Sequence, residues 1–164
     1  ISDRAGLALK FWDTVQKIKD FGGVGAKSKT VAAQSVVLKG IAKLAFDLGH
    51  GKTTLQNADY LVRLWEALEK GTLDFSHKNK IWRSLMLTSE ERNKAFKGID
   101  QYVYVKPGTN LDAGTYDEEN EWVRYGAKHN DILARIGDLI RYQLKFDPRP
   151  DIEVSKKKDI ESNS

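Results

Sequence analysis

Apolar residues are densest in this chain between Val31 and Leu48, where nearly every position is Val, Ala, Leu, Ile, Phe or Gly. The exceptions Ser35, Lys39, Lys43 and Asp47 recur at four-residue steps, with Gln34 beside them, which confines water to one narrow stripe of a helix. A helix this apolar around its circumference must be covered on most sides. The pattern therefore predicts a buried central rod, capped by Ser28 or Thr30 and stopped by Gly49. Gly40 would let a neighbour approach closely, at a helix-propensity cost of about 1 kcal/mol.

The flanking segments carry helical periods of their own. Ser2 can cap a first helix with Ala8, Phe11, Trp12, Val15 and Ile18 on one side and Lys10, Asp13, Thr14 and Lys17 on the other, ended by Gly22, Gly23 and Gly25. Asn57 is placed to cap a third helix reaching Lys70, with Leu61, Leu64, Trp65 and Leu68 inward, Asp59 to Arg63 and Glu66 to Lys70 as outer pairs, and Gly71 as its stop. Thr88 and Glu91 have capping-box spacing, which predicts a short helix through Phe96. Gln101-Tyr102-Val103-Tyr104-Val105 is the strong strand signal, followed by a Pro107-Gly108 turn. Asp117, Glu118 and Glu119 then suit the start of a helix carrying Trp122, Val123 and Tyr125. Asn130 can cap the last long helix, with Leu133, Ile136, Ile140 and Leu144 inward and Arg135, Asp138, Arg141 and Lys145 outward, closed by Asp147-Pro148.

The expected fold is mainly α: one helical domain over 1–148 around the buried central helix, with a short extended or β segment near 101–105. Residues 149–164 are polar, include Lys156-Lys157-Lys158, and read as a tail or linker.

Composition narrows the setting. At 164 residues the chain suffices for one domain with a sizeable core, and no apolar run reaches the roughly 18 residues of a membrane span. The absence of cysteine removes disulfides, thiolate nucleophiles and cysteine zinc sites, and fits a cytoplasmic protein. The formal charge of +4 is compatible with an anionic partner such as DNA. A start at Ile1, already helix-like by Arg4, leads to the expectation of an N-terminal neighbour domain. A homo-oligomer is the other partner considered.

Catalytic signatures are thin. Gly51, Lys52 and Thr53 resemble part of a phosphate-binding loop, but the first glycine of that motif would fall at Phe46 and the preceding segment is helical. His50, His77 and His129 lack metal-ligand spacing, and each reads as a loop or surface histidine. His129-Asn130 is half of a His-Asn-His nuclease motif without its partner histidine. The cluster Asp117, Glu118, Glu119 and Glu121 is explained by helix electrostatics. No catalytic residue, metal or cofactor is assigned. The candidate chemistry is phosphate contact: Lys78, Lys80 and Arg83 around Trp82, and the stripe Arg135, Arg141 and Lys145. The plain reading of the same residues is a core tryptophan and solvated helix faces.

The run Leu73-Asp74-Phe75 through Trp82-Arg83-Ser84-Leu85-Met86, preceded by the hydrophobic helix of Val31 to Leu48, resembles the helical C-terminal part of the DndB family. The resemblance covers Ser28 to Met86. Those proteins are associated with DNA phosphorothioate modification and belong to a wider group named for an Asp-Gly-Gln-His-Arg motif, which is not in this sequence. The resemblance implies a bacterial cytoplasmic protein connected with transcription regulation at a DNA-modification operon, and it transfers no active residue. The expected function is thus the helical region of such a regulator, contributing sequence-independent DNA contact or assembly. The alternative is a helical protein-interaction module with no nucleic-acid role, docking through the Tyr102 and Tyr104 edge or a helical surface.

Overall fold

The computed structural model describes residues 3–50, 54–87, 90–91, 94, 114–126 and 130–149. In chain order the elements are α1 (Asp3–Val15), α2 (Ala26–Lys29), a 3-10 turn (Val31–Ala33), α3 (Ser35–His50) and α4 (Leu55–Lys70). A 3-10 helix (Lys80–Met86), the strands β1 (Gly114–Asp117) and β2 (Trp122–Tyr125), and α5 (Asn130–Gln143) follow. The described fold is mainly α with one short antiparallel hairpin, which is the expected class.

The central rod is shorter than its composition suggests. Thr30 accepts a hydrogen bond from the Ala32 amide and caps the 3-10 turn, Gln34 is extended, and only from Ser35 does the α-helix run, passing Gly49 to end at His50. Val37, Ile41, Leu44, Ala45 and Leu48 are buried, while Ser35, Lys39 and Lys43 form the wet stripe. α3 packs against α1, α4 and most extensively α5. At Gly40 a Cβ would lie 2.7 Å from Ile136 Cγ2, so α3 and α5 approach closely enough there to require glycine.

The neighbours of the rod depart from their expected faces in places. In α1 the inward residues are Leu7, Phe11 and Val15, whereas Trp12 is 52 % exposed and Thr14, expected in water, is 0 % exposed. The reason for Thr14 is local: its hydroxyl donates to the Lys10 carbonyl at 2.6 Å, which satisfies it inside the helix. α4 starts at the Thr54 cap, whose side chain accepts from the Asn57 amide, so Asn57 lies inside the first turn and is not the cap. Gly71 ends α4 with φ 70, as its position predicts.

The helix expected around Trp122 is a hairpin strand instead. Val123 and Tyr125 are buried while Arg124 between them is exposed, a period of two that aromatic and β-branched residues fit better than a helix. The acidic group therefore forms the hairpin turn and not a helix start. Asp117 Oδ1 accepts from the Glu119 and Asn120 amides at 3.0 and 3.2 Å, and Asn120 Nδ2 donates to Oδ2 at 2.8 Å. These bonds hold the Asp117 carboxyl below its ordinary value. The expected strand at 101–105, the Gly51-Lys52-Thr53 segment, the Ser2 cap, His129 and the Thr88 cap lie outside the described residues. Glu90, Glu91 and Lys94 are helical, with Lys94 Nζ 3.4 Å from Glu90.

Beyond α5 the chain stays tied to the domain. Phe146 is buried, its ring stacked on Tyr60 at 4.1 Å, with the Arg63 guanidinium 4.8 Å above it. Arg149, grouped with the tail by its polar context, makes two hydrogen bonds to the buried Asp138 carboxylate.

Candidate nucleic-acid interface

An extended stretch through the Ser76 bridge and then a turn at 77–78, closed by the Asn79 amide donating to the Ser76 carbonyl at 3.0 Å, precede the 3-10 helix and decide where its cations point. Leu73, Phe75 and His77 are buried in alternation with exposed Asp74 and Lys78, and the Val31 amide donates to the Phe75 carbonyl at 2.9 Å. His77 is therefore not the surface histidine expected. Its Nδ1 accepts from the Val123 amide at 3.0 Å, so the ring proton sits on Nε2, which faces the Lys27 carbonyl at 2.7 Å and donates to it. Both ring nitrogens are occupied in structure, which leaves neither for proton transfer.

The hairpin lies over this segment through a series of paired contacts. The Tyr125 hydroxyl donates to the Trp82 carbonyl, and burial pushes that phenol far up. The Arg83 guanidinium sits 4.9 Å over the Tyr116 ring, and Lys78 Nζ lies 4.0 Å from Glu121. Trp82 is 0 % exposed, stacks on Phe75 at 5.2 Å and donates from Nε1 to the Asp74 carbonyl at 2.7 Å. It can hold the segment in place, but it has no face to offer a base.

The α5 stripe divides in the same way. Asp138 and Arg141, both expected in water, are 0 % and 8 % exposed. Helical spacing alone put them on the wet side, but the chain after α5 folds back over that face and supplies Arg149 and the Asp147 carbonyl, which accepts from Arg141 Nη1 at 3.2 Å. Burial raises the Asp138 carboxyl above its ordinary value, opposed chiefly by the Arg149 hydrogen bonds. Burial likewise lowers Arg141, opposed by the attraction of Asp138. Arg135 is half-buried and also acts on Asp138. Lys78, Lys80 and Lys145 are the exposed members of the nominated set, Lys145 standing in the turn after α5 with φ 58.

A second basic feature escaped the sequence pattern. The Gln34 side chain acts as a strand edge for β2: Nε2 donates to the Val123 carbonyl at 2.8 Å and Oε1 accepts from the Tyr125 amide at 2.9 Å. Around that bridge, α2, the first turn of α3 and β2 enclose a cleft of about 520 Å³. Lys27, Ser28, Ser35, Trp122 and Arg124 are among its lining residues, and no carboxylate is. The Arg124 guanidinium lies 5.4 Å over the Trp122 ring. The period-two alternation of 122–125 is the sequence signal that could have placed Trp122 and Arg124 together on an outer face.

Compared with protein-family models, curated proteins and solved structures, this chain matches none. The chemistry of its own residues has to carry the functional reading. Among the described residues no group of three or more His, Asp or Glu is placed to hold a metal ion, and no helix is long and apolar enough to cross a membrane.

Proposed function

We propose that this chain is the helical region of a DNA-modification-associated regulator and contributes sequence-independent contact to nucleic-acid phosphates. The observation that carries the reading is the 3.1 Å hydrogen bond from Asn79 Nδ2 to Gln143 Oε1. It joins the segment bearing exposed Lys78 and Lys80 to the end of α5, where exposed Lys145 follows. Lysine heads in water neutralise phosphates and carry no base information. The DndB-like run supports the reading, because its buried Phe75, Trp82 and Leu85 form the base from which Lys78 and Lys80 project. Burial of Trp82 and Arg141 restricts the contact to fewer residues than the pattern of cations offers. DNA affinity measured against salt tests it: each of Lys78→Ala, Lys80→Ala and Lys145→Ala should make the log–log slope shallower by about 0.9. Affinity indifferent to salt and to all three substitutions overturns the reading.

One observation favours the protein-interaction alternative. α1 and α3 leave a groove of about 570 Å³ whose lining includes the apolar Leu7, Phe11, Ala45 and Phe46, together with Arg4 and the Lys43–Asp47 ion pair. Phe46 is 44 % exposed, and the Arg4 guanidinium lies 6.0 Å over its ring. Such a groove fits a partner helix presenting apolar residues at helical spacing and a carboxylate toward Arg4. Sedimentation of the chain alone separates a self-associating face from one that needs a different partner, and a Phe46→Ser variant with unchanged association would remove the groove from either.

A further inference from the structure

We infer that the cleft between α2, the first turn of α3 and β2 is a site for a phosphorylated nucleoside, with Lys27 and Arg124 taking the phosphate and Trp122 the base. The inference rests on the phosphate-contact reading and deepens it by naming a second place and a ligand with an unpaired base.

Four observations lead there. Two cations and no carboxylate line the cleft, so its charge is uncompensated from within, and among the described residues no ion pair neutralises Lys27. Its volume of about 520 Å³ lies inside the range of small-molecule sites, roughly 300–1,000 Å³, and suits a nucleotide better than a bare anion. Trp122 is half-buried, lines the cleft and sits beneath Arg124 at 5.4 Å. A base reaching the indole therefore arrives beside the guanidinium that can hold its phosphate. Finally, the walls are fixed rather than adaptable. Gln34 bonds both ends of the Val123–Tyr125 backbone, and His77 links Lys27's carbonyl to Val123's amide, so the two sides that carry Lys27 and Arg124 are held in register before any ligand arrives.

The polar groups also limit what the site does. Ser28 Oγ already donates to the Gly25 carbonyl at 2.7 Å, and both nitrogens of His77 are engaged, which leaves the exposed Ser35 hydroxyl as the neutral donor. This is an equipment of recognition without a general base.

A free nucleotide and an unpaired strand share this chemistry, and fluorescence titration distinguishes them. The probes are adenosine monophosphate, a short oligothymidylate, a duplex of the same length and inorganic phosphate. Trp122 emission should be quenched by the oligothymidylate, with adenosine monophosphate equally effective if free nucleotide is the ligand and far weaker if a strand is. Lys27→Ala and Arg124→Ala, both on exposed positions, should each weaken the binding several-fold and make the single-strand salt slope shallower by about 0.7. Trp122→Leu should weaken it roughly tenfold and Trp122→Phe restore most of it, since a ring is what stacks. Full affinity after loss of both cations, Trp122 quenching by duplex as strong as by single strand, or inorganic phosphate bound as tightly as the nucleotide would each overturn the site. If Lys78→Ala, Lys80→Ala or Lys145→Ala alters DNA binding while Lys27→Ala and Arg124→Ala do not, the cleft falls and the broader phosphate reading stands; if none of the five matters, both fall.

Discussion

Gly40 on α3 faces Ile136 on α5 so closely that an added methyl group would lie 2.7 Å from Ile136 Cγ2 and 2.8 Å from its Cβ. Alanine is the better helix former by about 1 kcal/mol, yet here the branched side chain opposite is itself buried and cannot swing away. Gly40→Ala should therefore destabilise the protein by roughly 1–2 kcal/mol in chemical denaturation. Gly137, one residue further along α5, gives the control. Its added Cβ would stand 3.7 Å from Leu44 Cβ, an ordinary contact, so Gly137→Ala should stabilise by up to about 1 kcal/mol.

Asp138 and Arg149 set a pH dependence with a definite sign. The native Asp138 carboxyl is raised by burial, so between the unfolded value of about 3.9 and the native one the folded chain holds a proton that the unfolded chain has lost. That group's contribution to stability therefore falls as pH rises through this window. Arg149 is the main influence opposing the shift, and Arg149→Met should push the carboxyl higher still. The variant should approach wild-type stability in acid and lose roughly 3 kcal/mol at neutral pH, where a buried carboxylate has lost its paired cation. A loss of stability equal at both pH values would contradict this account. Asp117, held low by Asn120, contributes in the opposite direction but is unchanged in the variant and cancels in the comparison.

Gln34 holds β2 to the helical body, and its removal should show where the hairpin gets its order. Gln34→Met keeps length and apolar bulk but leaves the Tyr125 amide and the Val123 carbonyl without their partner. A loss of roughly 2 kcal/mol is expected, of the size of stranded buried polar groups. Amide hydrogen exchange should accelerate at Tyr125 while α3 interior amides keep most of their protection, since the rod's packing on α5 is untouched.

The helical body was legible because burial on a helix repeats with the turn: Leu64 and Leu68, Ile136 and Ile140 are inside as their spacing requires. The hairpin was misread because negative charge before Trp122 serves a helix start and a turn equally well, and only the alternation of Val123, Arg124 and Tyr125 tells them apart. Of the nominated cations, Lys78, Lys80 and Lys145 are exposed as expected, but Arg141 is not, since its cover comes from residues 146–149, which a helical wheel of α5 does not contain. Gln34 and His77 left no trace at all as binding partners: each answers a backbone amide that lies at Val123 or Tyr125, far away in sequence.

The difference between buried and exposed cations yields the last prediction. Arg141→Met removes a donor from the Asp147 carbonyl and a neighbouring cation from Asp138, so stability should fall by roughly 1–3 kcal/mol. The residue is only 8 % exposed and its Nη1 is held by the Asp147 carbonyl, so the salt dependence of DNA binding should stay as in the wild type. Lys80→Ala combined with Lys145→Ala should behave in the reverse manner, leaving the unfolding midpoint within about 0.5 kcal/mol of wild type while making the salt slope shallower by about 1.8. Each variant is scored by both urea unfolding and a salt series. A shallower slope for Arg141→Met at unchanged stability would mean that this side chain faces the phosphates after all, and would reverse the assignment of roles along α5.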